Sequence, residues 1–158
     1  MTRIIGCGTD HRGDDAAGLL VARELGEVAH SGDGLSLIEA WQGCDELILI
    51  DAVVTGAPPG EIVVWDGRRA PATASVFRSS SHTFGVAEAL QLARLLDRLP
   101  ASVTIFGIEA ATFRIGASPS APVAAAIERL VQRIKNLHAA PVAPDIHMNP
   151  GTVAKPVH

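Results

Sequence analysis

Lysine is nearly missing from this chain: of 13 basic residues only Lys135 and Lys155 are lysines, both near the carboxyl end, and no basic run occurs elsewhere. With 17 acidic residues the formal charge is −4, which is the wrong sign to neutralise a nucleic-acid backbone. A polybasic membrane-surface tract is equally absent. No stretch reaches the ~18 apolar residues of a membrane span, and Gly6 breaks the first apolar run before a secretory signal core can form. The expected setting is therefore cytoplasmic, with neither nucleic acid nor membrane as partner. Cysteine is scarce too. Cys7 and Cys44 have no C-x-x-C spacing and no disulfide-scaffold density, and Cys7, beside Ile4 and Ile5, reads as a small buried thiol.

What is present is core-forming material. The 158 residues are 47% hydrophobic and 19% charged, enough apolar surface to offset the entropy of ordering and to exclude a disordered body. One domain over residues 1–138 is expected. Residues 139–158 carry four prolines and no packing pattern, and are expected to form a flexible tail.

Arg3 to Cys7 reads as a strand running into a Gly8–Gly13 loop, followed by a helical stretch from Asp14 to Leu25. Leu35 to Ala40 is a second extended candidate. Glu46 to Val54 is a third, with the consecutive apolar residues of a strand buried on both faces. Beyond the turn Ala57-Pro58-Pro59-Gly60, Glu61 to Trp65 is expected to pair back on that strand as a hairpin. Arg68 to Ser81 is a long loop and a lid candidate. Thr83 to Leu99 has helical periodicity, Val103 to Ile108 is a strand, and Ala121 to Leu137 a last helix. Strands alternating with helices predict an α/β fold with a mostly parallel sheet and helices on both faces. Functional groups then gather at strand ends, after Cys7, after Ile50 and before Thr83.

Gly6-Cys7-Gly8 resembles a nucleotide-binding glycine loop, but a Rossmann fingerprint would need glycine where His11 stands, and Asp14 and Asp15 would repel a pyrophosphate. One aspartate, Asp14, is accounted for as a helix cap. Successive helical residues point about 100° apart, so Asp15 then projects elsewhere. Asp51 ends the run Leu47-Ile48-Leu49-Ile50, where an ionised carboxylate is costly unless paired, hydrogen-bonded or metal-bound. The bland account is an acceptor for loop N–H groups. His82 follows Ser79-Ser80-Ser81, but neighbouring Ser and His lack triad geometry and no G-x-S-x-G elbow occurs. Asp15, Asp51 and His82 together would offer two carboxylates and one imidazole from three loops, a donor set suited to a borderline divalent metal.

The segments GCGTDHRGDDAAG (Gly6 to Gly18), LILIDAVVTGAPPG (Leu47 to Gly60), SSHTFG (Ser80 to Gly85) and FGIEAATFRIGASPS (Phe106 to Ser120) resemble, in order, those of hydrogenase maturation endopeptidases. The resemblance runs from the start to about Leu137. It implies a three-layer α/β fold with a twisted five-stranded sheet, and removal of a C-terminal peptide from a nickel-iron hydrogenase large-subunit precursor. It also implies that Asp15, Asp51 and His82 are the catalytic and metal-recognising residues, and that the nickel arrives with the precursor, with no tightly held organic cofactor. Thr9 stands where the family commonly has Asn, Ala110 where Pro is frequent, and Asp15 where either Asp or Glu occurs.

Two other functions use the same residues differently. A nickel-binding chaperone module would hold the precursor without cutting it, and a nucleotide-binding α/β domain would place its ligand on the Gly6–Gly13 loop. Within the protease reading, the attacking water could be activated by metal or by an aspartate acting as general base. A monomer is the expected oligomeric state.

Overall fold

The computed structural model describes residues 1–69 and 85–139, with backbone alone for 138 and 139. Among these residues five strands form one sheet: β1 (Thr2–Cys7), β2 (Val28–His30), β3 (Glu46–Val53), β4 (Ile62–Asp66) and β5 (Ser102–Glu109). Their order is β2-β1-β3-β5-β4; β1, β2, β3 and β5 run parallel, and β4 lies antiparallel to β5. Among the described residues four helices cover it: α1 (Ala17–Leu25), α2 (Gly34–Ala40), α3 (Val86–Leu95) and α4 (Ala121–Ala139). This is the expected mostly parallel α/β architecture.

Side-chain alternation divides the core in two. Ile5, Leu47, Leu49, Val53, Val103 and Ile105 face α2 and α3, where they meet Leu37, Trp41, Ala89 and Leu90. Ile4, Ile48, Ile50, Phe106 and Ile108 face α1 and α4, against Val21, Ala126, Leu130 and Ile134. Because β3 is buried on both sides, its sequence shows a continuous apolar run rather than alternation. Asp51 has the parity of Leu49 and Val53 and so belongs to the α2/α3 side.

Four expectations need correction. Leu35 to Ala40 is helical, because Asp33 caps the segment by accepting the Ser36 N–H at 2.9 Å, while Leu37, Ile38 and Trp41 turn to the core at helical spacing. The strand in this region is instead the three-residue edge β2, too short to show a period. The segment after Gly60 does form a strand, but it pairs with β5: β3 already has β1 and β5 as neighbours, so no edge remains for a hairpin. The stretch from Asp14 opens with a 3-10 turn (Gly13–Ala16) before α1 begins, and α1 ends at Gly26, whose φ of 71° lets its N–H reach the carbonyls of Ala22 and Arg23.

Helix α3 starts later and ends sooner than the Thr83 to Leu99 periodicity predicts. Glu88 caps its start through the Gly85 N–H at 2.9 Å, and Asp97, with φ of 58°, turns the chain out after the end. His82, nearly all of the lid candidate Arg68 to Ser81, and the tail beyond residue 139 lie outside the described residues.

Candidate functional site

From β1 the chain crosses to β2 on one side, whereas β3 lies on the other side of β1; the gap between the carboxyl ends of β1 and β3 is thus the switch point of the sheet. Crevices at such points are where open α/β sheets collect ligands. The loop after β1 and the end of β3 bring Asp15 and Asp51 here.

Asp14 is not the helix cap expected from its position. Fully buried, it accepts hydrogen bonds from the N–H groups of Ala111 (2.7 Å), Thr112 (3.1 Å) and Ser120 (2.6 Å), and from the Ser120 hydroxyl. Its own N–H donates to the Thr112 carbonyl at 2.9 Å. Asp14 therefore ties the 3-10 turn to the distant loop after β5.

Asp15 is then held by backbone. Its N–H donates to the Arg12 carbonyl and its carbonyl accepts from Thr9 N–H, both at 3.1 Å. Gly8 permits this: with φ of 154°, it sits where a Cβ would lie 2.1 Å from the Asp15 carbonyl oxygen.

Asp51 is 3% exposed and Asp15 1%. Burial, reinforced by the negative charge of Asp15, pushes the Asp51 carboxyl well above the usual aspartate range, while the Ala52 N–H, donating to its Oδ1 at 2.8 Å, pulls the other way. Cys7 is buried beside it, and burial followed by the charge of Asp51 pushes the thiol well up, so it stays protonated. Two carboxylates close enough to repel one another hold a proton between them or receive a cation.

Asp51 opens onto a small solvent-open cleft. Cys7, Gly8 and Thr9 form one wall, His30, Gly32, Asp33, Gly34 and Leu37 another, and Gly85 and Val86 close it at the start of α3. Four glycines leave much of this lining as backbone, which suits an extended peptide laid close to the chain. Among the described residues no three His, Cys, Asp or Glu side chains converge to hold a metal. Asp15 and Asp51 supply two donors; His82 lies outside the described residues.

Sequence reasoning missed Glu109. At 2% exposure it ends β5 as Asp51 nearly ends β3, and its carboxylate accepts from Thr55 N–H and hydroxyl and from Gly56 N–H. A carboxylate closing an apolar run was the signal applied to Asp51, and Ile105 to Ile108 carries it as well. The role differs: Glu109 is saturated by loop donors and fixes the turn after β3.

Comparison with known proteins adds a direct relationship. A family model, HycI, hydrogenase maturation protease, matches residues 31–137. The hydrogenase expression/formation protein HoxM of Cupriavidus necator is 30% identical over 101 residues, which is 63% of this chain and 50% of HoxM. The chain thus spans about half the length of that relative. Among solved structures, the hydrogenase maturating endopeptidase HybD of E. coli superposes with a TM-score of 0.73 at 22% identity, over 86% of this chain and 90% of that one. HybD, a [NiFe] hydrogenase maturation protease of Thermococcus kodakarensis, gives 0.66 at 26% identity, over 86% and 97%.

Proposed function

Because the chain belongs to the hydrogenase maturation protease family, we propose that it is an endopeptidase that removes the C-terminal peptide from a nickel-loaded hydrogenase large-subunit precursor. On this reading Asp15, Asp51 and His82 recognise the nickel that the precursor carries. The observation that carries it is the pairing of Asp15 and Asp51, both buried and mutually repelling at the sheet's switch point.

A buried pair of mutually repelling carboxylates costs free energy that a divalent cation removes. The substrate's nickel would therefore be drawn to the end of the cleft, and the flanking peptide with it. That orientation converts a diffusional encounter into a fixed geometry, a large part of any peptidase's rate enhancement. While one proton remains on the pair, the ionised partner is placed to take a proton from an attacking water.

The test is the mass of the large subunit after incubation with purified protein. Loss of a C-terminal peptide from nickel-loaded precursor, and not from nickel-free precursor, is the expected result. His82→Ala should abolish processing without unfolding the enzyme, and normal processing by that variant would remove His82 from its role. A wild-type protein that retains the precursor with its mass unchanged would instead be a non-cleaving chaperone.

A further inference from the structure

Residues 11–13 and 112–117 form a ledge whose backbone supports the site and whose side chains the site does not use. Gly13 N–H donates to the Ala117 carbonyl at 3.0 Å and Gly116 N–H to the His11 carbonyl at 2.7 Å, while Asp14 fastens the base through Thr112 and Ser120. The two segments are packed so closely that a Cβ on Gly13 would lie 2.8 Å from the Thr112 carbonyl oxygen. On this rigid base stand exposed His11, exposed Arg114 and Ile115, whose exposure is 77%.

The ledge is cationic on a chain of net charge −4. No Asp or Glu occurs between residues 110 and 120. Of the acids flanking the other segment, Asp10 is taken in a two-pronged bond by Arg23 at 2.7 and 2.9 Å, and Asp14 is buried beneath the N–H groups of Ala111, Thr112 and Ser120. Arg12 gives a second, independent sign: its Nε is buried and meets no acceptor among the described residues. A half-buried guanidinium with an unsatisfied donor gains by turning outward to an acceptor that docks beside it. An exposed aliphatic side chain on a loop already ordered adds contact at little entropic cost.

We propose that this ledge is a docking surface for an acidic stretch of the protein substrate, in which Arg12 and Arg114 meet carboxylates and Ile115 packs on an adjoining apolar side chain. The proposal rests on the reading of the chain as acting on a protein precursor. It places partner selection on the loop after β5, which is hydrogen-bonded to the segment leading into Asp15, so that docking and chemistry share one rigid frame.

The test measures affinity for nickel-loaded precursor at low and high salt, alongside the large-subunit mass. Arg114→Glu with Ile115→Ser, both at exposed positions, should leave the thermal midpoint unchanged and weaken binding roughly tenfold or more. The salt dependence of the wild type should shrink in that variant. Arg12→Gln should weaken binding in the same direction. If the double variant binds as the wild type does, the ledge is not the docking surface, whether or not the precursor is cut. If binding falls but wild-type protein leaves the mass unchanged, docking stands and the protease reading fails. A wild type that does not bind the precursor overturns both.

Discussion

Gly6 and Gly18 touch backbone to backbone: a Cβ on Gly6 would lie 1.9 Å from the Gly18 carbonyl oxygen, and one on Gly18 only 2.3 Å from the carbonyl oxygens of both Cys7 and Ile50. Helix α1 therefore rests directly on β1 and β3, and this contact sets the height of the 3-10 turn bearing Asp15. Gly18→Ala must push the helix off the sheet. The expected cost is about 1–3 kcal/mol or more, read as a lower urea midpoint, with loss of processing exceeding what the stability change explains.

Asp14 and Asp15 should separate cleanly on mutation. Asp14→Asn leaves at least one backbone donor of the loop after β5 facing an amide NH₂, and removes charge from several hydrogen bonds. A loss of roughly 2–4 kcal/mol is expected, measured by denaturant unfolding. Asp15→Asn instead relieves repulsion with Asp51, so it should cost less stability than Asp14→Asn while processing fails. Equal destabilisation by the two would contradict the division of labour.

That division marks the limit of what the sequence reveals. The burial of β3, the break at Gly6 and the helical period of α4 were legible because each is a pattern of neighbours along the chain. Asp14's partners lie 97 to 106 residues away, and nothing local distinguishes a carboxylate that caps its own helix from one that anchors a distant loop. Helix α2 escaped for a related reason: Leu37-Ile38 reads as extended until Asp33 is recognised as its cap. The pairing of β4 with β5 depends on β3 having no open edge, a property of the whole sheet. Asp51 was identified from the cost of placing charge at an apolar strand end and Asp15 as the aspartate left over once Asp14 is assigned to the helix cap, whereas their proximity required the fold.

Glu109→Gln should loosen the turn after β3 without touching the carboxylate pair. The ionised side chain accepts from Thr55 N–H, from the Thr55 hydroxyl at 2.6 Å and from Gly56 N–H at 3.2 Å. An amide there presents one acceptor and one mismatched donor, at a cost of about 1–3 kcal/mol. Hydrogen exchange at Thr55 and Gly56 should quicken more than at β1. Unchanged protection at both amides would show that Glu109 does not hold the turn.

The titration of Asp51 gives a signed prediction. In the unfolded chain it ionises near 3.8, and in the folded protein its value is raised by burial and by Asp15. Between those two values the folded state binds more protons than the unfolded one, so stability from this group falls as pH rises through the interval and stays low above it. Asp51→Asn removes that dependence. The wild type and the variant should converge in stability below pH 3.8, and the variant should become progressively the more stable as pH rises toward neutrality. Adding a divalent ion such as Ni²⁺ at neutral pH should reverse the order, raising the thermal midpoint of the wild type and not of the variant, because only the ionised pair gains from the cation. As pH falls and the pair takes up its proton, the ion's effect should fade. A midpoint raised equally in both proteins would place the ion elsewhere and leave the carboxylate pair without its cation.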